Sequence, residues 1–118
     1  MADAWNPIIS QGADFRATVE IATWPVGYPA LATATEWRWV LSQPEVAPFL
    51  TASSTGGSPA ITLNVAQTIG TIVLPPATTL TCPVGPFRYD LDVIFSATVK
   101  IRVISLGNGN VITYSGST

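Results

Sequence analysis

Short runs in which apolar and polar residues alternate one for one fill most of this sequence. The clearest run extends from Phe87 to Phe95, with aromatic or aliphatic residues at every odd position. A period of two is typical of a β-strand that has one face in a core and the other face outside it. Comparable runs occupy residues 15–21, 36–42, 61–65, 72–74, 99–103 and 111–114. The pattern predicts about seven short strands.

Proline- and glycine-rich segments separate these runs and predict turns. Asn108-Gly109-Asn110 is typical of a hairpin turn, because Asn and Gly accept the positive φ that a tight β-turn needs. We expect this turn to join a strand ending near Leu106 to a strand beginning at Val111. Residues 76–82 allow one helical turn, and Thr51 to Pro59 is expected to be the most flexible loop.

Seven short strands without a crossover helix indicate an all-β fold. The favoured architecture is a single Ig-like antiparallel β-sandwich domain spanning residues 1–118. A closed barrel is the alternative. Trp37 and Trp39 lie two positions apart, on one face of a strand, and are expected to fill the core.

Charged side chains are scarce. They make up 10% of the residues, where about 25% is typical, and the mean hydropathy is +0.40. A monomer with so little charge is prone to association, so we expect neighbouring subunits to cover much of the surface. The net charge of −2 and the lack of a basic cluster argue against a nucleic-acid partner.

The sequence contains no apolar run long enough for a membrane span, and its first residues do not resemble a secretory signal. We therefore expect no membrane partner and synthesis in a cytoplasm. The single cysteine, Cys82, fits a reducing compartment and is expected to be a small buried residue.

Catalytic side chains are few. Histidine is absent, which removes the commonest general base and metal ligand. Asp90 and Asp92 form the only close pair of carboxylates, and alternation places both outward beside Arg88, on a solvated or interface face. We predict that the chain is not an enzyme, and we predict no cofactor and no metal site.

Aromatic residues in turn-rich segments are the first candidates for binding. Trp24 and Tyr28 lie among prolines and glycines, in a rigid loop that can present two aromatic anchors. Trp5 is a third aromatic of this kind. Such rings can anchor a protein interface or stack on a sugar; the surrounding Ala and Val residues favour a protein, and a carbohydrate-binding module is the alternative.

Isoleucines on the outer face of the late strands are the second candidates. Alternation places Ile94, Ile104 and Ile112 outward, and Leu106 can join them. Apolar side chains on both faces predict that this sheet is covered on its outside by another subunit. A β-bulge that reverses the register is the alternative.

The segment from Gly85 to Val93 carries a family resemblance. It follows the strand of residues 70–75 and precedes a basic strand from Lys100 to Val103, Gly107 and a short last strand. Together with the opening from Ile9 to Phe15, this order resembles small bacteriophage virion proteins whose domain is like the N-terminal domain of the phage baseplate upper protein.

The resemblance implies a structural role in a tail, baseplate or fibre attachment. It implies location in the virion after assembly in the host cytoplasm, with other virion proteins and copies of itself as partners. A decoration protein on the phage head is an alternative. An ordinary Ig-like sandwich also explains Tyr89, as a ring packed inside with its hydroxyl bonded to backbone upstream.

Overall fold

The computed structural model describes residues 5–44, 48–56 and 60–113, with Leu106 as backbone only. The described chain is nearly all β. Its strands are β1 (Ile8–Ser10), β2 (Phe15–Glu20), β3 (Glu36–Ser42), β4 (Pro48–Ser53), β5 (Ala60–Leu63), β6 (Ile69–Leu74), β7 (Gly85–Ile94) and β8 (Lys100–Ile112). A 3-10 helix covers Leu31–Thr33, and one short α-helix, α1, covers Pro76–Leu80.

The described strands form one mixed sheet in the order β1-β8-β7-β3-β4-β5-β6-β2. Antiparallel pairs dominate, and β1–β8 and β4–β5 are parallel. The sheet curls until it is nearly closed into a barrel, so the all-β prediction is confirmed but the architecture is not clearly an Ig sandwich. The barrel alternative describes this curvature better than two separate sheets do.

Period-two alternation identified β2, β3, β5, β6 and β7, and the single helical turn near residue 76 is confirmed. It missed β1, which is three residues long, and β4, in which Phe49 and Leu50 are both half-buried, so that alternation is lost. The expected loop from Thr51 to Pro59 begins inside β4. Residues 57–59 of that loop lie outside the described residues.

The predicted hairpin turn at Asn108-Gly109-Asn110 is wrong. These residues lie inside β8, where they pair with Arg88, Phe87 and Pro86 of β7. The glycines serve packing, because a Cβ atom on Gly109 would overlap the Phe87 ring, and one on Gly107 would overlap the Tyr89 ring. Close approach of an aromatic ring therefore accounts for these glycines without any reversal of the chain.

The core lies inside the curled sheet. Trp37 and Trp39 are fully buried, as predicted. Phe15 and Trp5 both stack on Trp39, with ring centroids 6.0 and 5.9 Å away. Aromatic pairs at such spacing stabilise a core beyond their buried area.

The Tyr89 hydroxyl ties the start of the described chain to this core. It accepts a hydrogen bond from the Trp5 backbone N–H at 2.9 Å and donates one to the Trp5 carbonyl at 2.6 Å. The expected return of this hydroxyl to upstream backbone is thus confirmed. Trp5, expected as a loop aromatic, instead packs between Trp39 and Tyr89 and takes no part in the aromatic loop around Trp24.

Helix α1 holds the turn between β1 and β2. The Thr79 hydroxyl is fully buried and donates to the Ala13 carbonyl at 2.8 Å, and the Gln11 side-chain amide donates to the Cys82 carbonyl at 2.8 Å. Cys82 is buried, as predicted, and burial raises the pKa of its thiol. The thiol is thus further from a reactive thiolate than an exposed cysteine would be.

Candidate interaction surfaces

Charge is segregated on this molecule. Five basic and seven acidic residues make twelve in all, and seven of the twelve lie on β3, β7 and β8. These seven are Glu36, Arg38, Arg88, Asp90, Asp92, Lys100 and Arg102. No Asp, Glu, Lys or Arg occurs between Glu45 and Arg88, so β4, β5, β6 and α1 carry no charged residue. We call the outer side of β3, β7 and β8 the charged face.

Asp92 occupies the middle of the charged face, paired in register with Arg38 on one side and with Arg102 on the other. Arg102 Nε donates to Asp92 Oδ1 at 2.9 Å, and Arg102 Nη1 lies 3.7 Å from Asp90 Oδ2. The hydrogen bond to Asp92 raises the pKa of Arg102, against the opposing effect of burial.

Asp92 was predicted to lie outward on a solvated or interface face, and the solvated alternative is wrong. Its side chain is on the outer side of the sheet, yet the residue is only 4% exposed. The long side chain of Arg102, which donates two hydrogen bonds to it, shields it. Asp90 and Asp92 share Arg102 as their counter-ion, with Arg102 3.7 Å from Asp90 Oδ2 and 2.9 Å from Asp92 Oδ1.

A second ion pair lies one strand further along the charged face. Arg38 Nη2 is 3.0 Å from Glu36 Oε1, and the Ser53 hydroxyl donates to Glu36 Oε2 at 2.6 Å. Burial alone would raise the pKa of the Glu36 carboxyl, but the hydrogen bonds from Ser53 and Arg38 outweigh it and hold that pKa below its usual value. The charged face is therefore largely neutralised within itself.

Ile94, Ile104 and Ile112, predicted to form one outward apolar patch, do not share an exposed surface. Ile104 is 3% exposed and belongs to the core, so its outward placement is wrong. Ile94 is half-buried beside Lys100, whereas Ile112 is 40% exposed near the far end of β8. The side chain of Leu106 lies outside the described residues.

A bulge in β8 explains the burial of Ile104. Leu91 pairs with Ile104, and the next residue, Asp92, pairs with Arg102, so that β8 has one extra residue at Val103. Val103 and Ile104 are consecutive and both buried. The register reversal that the sequence left open is thus the correct alternative.

Ile94 forms part of a hollow of about 380 Å³ on the outer side of the β7–β8 connection. Its lining residues are Arg38, Ile94, Ser96, Ala97, Thr98 and Lys100. Within the described parts of the chain, Lys100 forms no ion pair. The hollow thus combines an unpaired cation with two hydroxyl groups and an apolar isoleucine.

The aromatic loop predicted from Trp24 and Tyr28 forms a real cluster. The two rings are 5.7 Å apart at 69°, and Trp24 lies 6.1 Å from Phe95 at the end of β7. The Trp24 indole N–H donates to the Pro29 carbonyl at 2.8 Å. Trp24 is half-buried, and Tyr28 is 45% exposed.

Three connections meet at this end of the barrel: residues 21–35, 64–68 and 95–99. Gln67 donates its side-chain amide to the Ala32 carbonyl at 3.0 Å, and the Ile21 N–H donates to the Thr68 carbonyl at 2.8 Å. The contact between Trp24 and Phe95 places the third connection, residues 95–99, beside the first. We call the surface of these three connections the loop end.

The loop end contains no charged residue. Its large exposed hydrophobic side chains are Val26 and Val65, which are fully exposed, and Tyr28 and Val99, which are partly so. Sequence reasoning found Trp24 and Tyr28 but missed Val65, Val99 and Phe95, which lie in separate parts of the chain. The sequence signal that could have identified these residues is that none of the three connections contains a charged residue.

A second apolar region lies at the other end of β8. Ile8 of β1 is 61% exposed and borders a hollow of about 410 Å³ lined by residues 6–8 and 108–110. Leu80, Val84 and Ile112 are also exposed. Apolar surface is therefore present at both ends of β8, and the ion pairs of the charged face lie between them.

Comparison with known proteins finds no family that matches the chain and no similar curated sequence. Within residues 5–44, 48–56 and 60–113, no helix is long and apolar enough to cross a membrane. The same residues contain no group of three or more acidic or cysteine side chains that could hold a metal ion.

Proposed function

We propose that this chain is a structural subunit that works by binding other proteins through its uncharged surfaces. The single observation that carries the proposal is the segregation of charge: the exposed valines and Tyr28 of the loop end lie where no charged residue occurs. Exposed apolar side chains gathered on neighbouring connections of a small protein are typical of a site of interaction.

The charged face supports the same proposal by contrast with the uncharged surfaces. Its acidic residues are held by Arg38 and Arg102, and those arginines remain about half exposed. Such a face is suited to water. A chain that concentrates its few charges on one face leaves the other surfaces suited to contact with protein.

The setting we propose is a bacteriophage virion, in a tail, baseplate or fibre attachment. Support comes from the resemblance of residues 9–15 and 85–93 to small virion proteins, and a compact β-rich subunit fits such a role. Decoration of the phage head is the alternative, since it calls for the same surface chemistry.

The aromatic cluster favours a protein over a glycan as its ligand. A sugar stacks on an open, flat ring face, whereas Trp24 is half-buried and meets Tyr28 at 69°. Its indole N–H is already bonded to Pro29, so it is not available for a sugar hydroxyl. The cluster therefore resembles a preformed anchor for a protein surface.

Mass spectrometry of purified phage particles tests the virion proposal. Particles from a culture that expresses the gene should contain the chain at a fixed number of copies, and a non-structural protein of the same genome serves as the control. Separating heads from tails then distinguishes tail attachment from head decoration. Purified particles that lack the chain, from a culture in which the gene is expressed, would contradict the virion proposal.

A further inference from the structure

The loop end is bordered by two unpaired charges of opposite sign. Glu20 is the last residue of β2, just before the connection of residues 21–35, and Lys100 begins β8, just after the connection of residues 95–99. Both residues are exposed. Within the described part of the chain, neither forms an ion pair.

Among the residues that the structure describes, unpaired charges are the exception. Apart from Arg88, the other described acidic and basic side chains all belong to ion pairs. Glu36 also borders the loop end, but Arg38 and Ser53 hold its carboxylate. The loop end is thus an uncharged surface with one unmatched carboxylate and one unmatched ammonium at its edge.

The hollow beside Lys100 provides room for a carboxylate. Lys100 and Arg38 both line it, together with the hydroxyl-bearing Ser96 and Thr98. The Ser96 hydroxyl already accepts hydrogen bonds from the backbone N–H groups of Thr98 and Val99, which fixes this hairpin tip. An incoming carboxylate would therefore meet a formed cationic surface.

We propose that the loop end packs against the loop end of a second copy about a two-fold axis, with Glu20 of each copy paired with Lys100 of the other. This inference rests on the proposed function and names the partner for one surface. A two-fold contact places the same surface on both sides. An uncharged patch can face its own copy without repulsion, and an edge with one charge of each sign is complementary to itself.

The two parts of this contact have different tasks. Burial of Val26, Val65 and Tyr28 supplies most of the association free energy, because apolar area removed from water is the dominant favourable contribution. Exposed ion pairs add little affinity. They set the orientation instead, because like charges brought together would disfavour the contact.

Sedimentation equilibrium of the purified chain and its charge variants tests the contact. Glu20→Lys and Lys100→Glu should each weaken self-association by about 3- to 10-fold, because each brings like charges together. The double variant Glu20→Lys with Lys100→Glu exchanges the charges and should restore association. Val26→Asp should weaken it by more than about tenfold, because an unpaired charge would be buried.

Arg88→Glu is the matched control. Arg88 is exposed, forms no ion pair with another described residue, and lies on β7 away from the loop end, so the same reversal of charge should leave self-association unchanged. Circular dichroism of every variant verifies that the fold is retained. Glu20 and Lys100 are exposed, and their replacement leaves the core intact.

Three results would overturn the inference: a wild-type chain that stays monomeric at about millimolar concentration, no rescue in the double variant, or equal weakening by Arg88→Glu. Failure here is distinct from failure of the proposed function. A monomeric chain that is nevertheless found at fixed stoichiometry in phage particles removes the contact between copies and leaves the structural role.

Discussion

At the scale of single residues, Tyr89 joins strand β8 to the start of the described chain. Its ring packs against Gly107, and its hydroxyl holds the backbone of Trp5, 84 positions upstream. Burial raises the pKa of the hydroxyl, although the hydrogen bond to the Trp5 backbone opposes this. The sequence predicted the buried ring and an upstream bond, but it could not identify Trp5 as the partner, because the bond depends on tertiary packing.

Tyr89→Phe should lower the free energy of unfolding by about 1–3 kcal/mol, because it leaves the Trp5 N–H and carbonyl without their partner. Urea denaturation measures the change. Tyr28→Phe is the control, because Tyr28 is 45% exposed and its hydroxyl takes part in no described hydrogen bond. Equal stability of the Tyr89→Phe variant and the wild type would contradict this role.

Gly107→Ala should destabilise the protein by about 1–3 kcal/mol or more, because the added Cβ overlaps the buried Tyr89 ring. Ser105→Ala in the same strand is the control, because Ser105 is exposed. Thermal unfolding of the two variants gives the comparison. If Gly107→Ala were as stable as the control, the glycine would not be required by the ring.

At the scale of elements, alternation predicts a strand well wherever the strand is regular. It succeeds for β3 and β7, whose inner faces consist of large buried residues. It fails in β8, because the bulge at Val103 makes two consecutive residues face the core, and because Gly109 serves the packing of Phe87. The sequence pattern also could not predict the parallel pairing of β1 with β8, because this pairing joins the two ends of the described chain.

Glu36 links β3 to β4 through its hydrogen bond from Ser53. We expect it to make the free energy of unfolding depend on pH in the acidic range. Its folded pKa lies below the usual value of 4.5, so the unfolded state binds the proton first as pH falls. The contribution is therefore present above pH 4.5 and is lost as pH falls through the folded pKa.

Glu36→Gln removes this carboxylate and should reduce the loss of stability below pH 4.5. Urea denaturation of both proteins between about pH 7 and pH 3 measures the difference in slope. At neutral pH the variant should be less stable, because Arg38 loses its ion pair. Parallel pH profiles for the two proteins would show that Glu36 is not the group responsible.

At the scale of the whole molecule, the low charge content predicted that the surface is covered, but not where. The location depends on which connections meet in space: Trp24 contacts Phe95, and Gln67 bonds to Ala32, so that three separate parts of the chain come together. The outward placement of Ile104 failed for a different reason: alternation alone cannot distinguish a regular strand from one with a bulge, and the bulge that the sequence left open as the alternative is present. Trp24 and Tyr28 could be identified because both lie within one short, uncharged segment.

Hydroxyl-radical footprinting tests most directly whether protein covers the uncharged surface. The chain is oxidised once in isolation at low concentration and once within its native assembly. We expect oxidation of Tyr28 to fall severalfold in the assembly, while that of Val40, in register with Asp90 on the charged face, stays unchanged. Equal oxidation of Tyr28 in both samples would mean that the loop end faces water, and it would contradict the account.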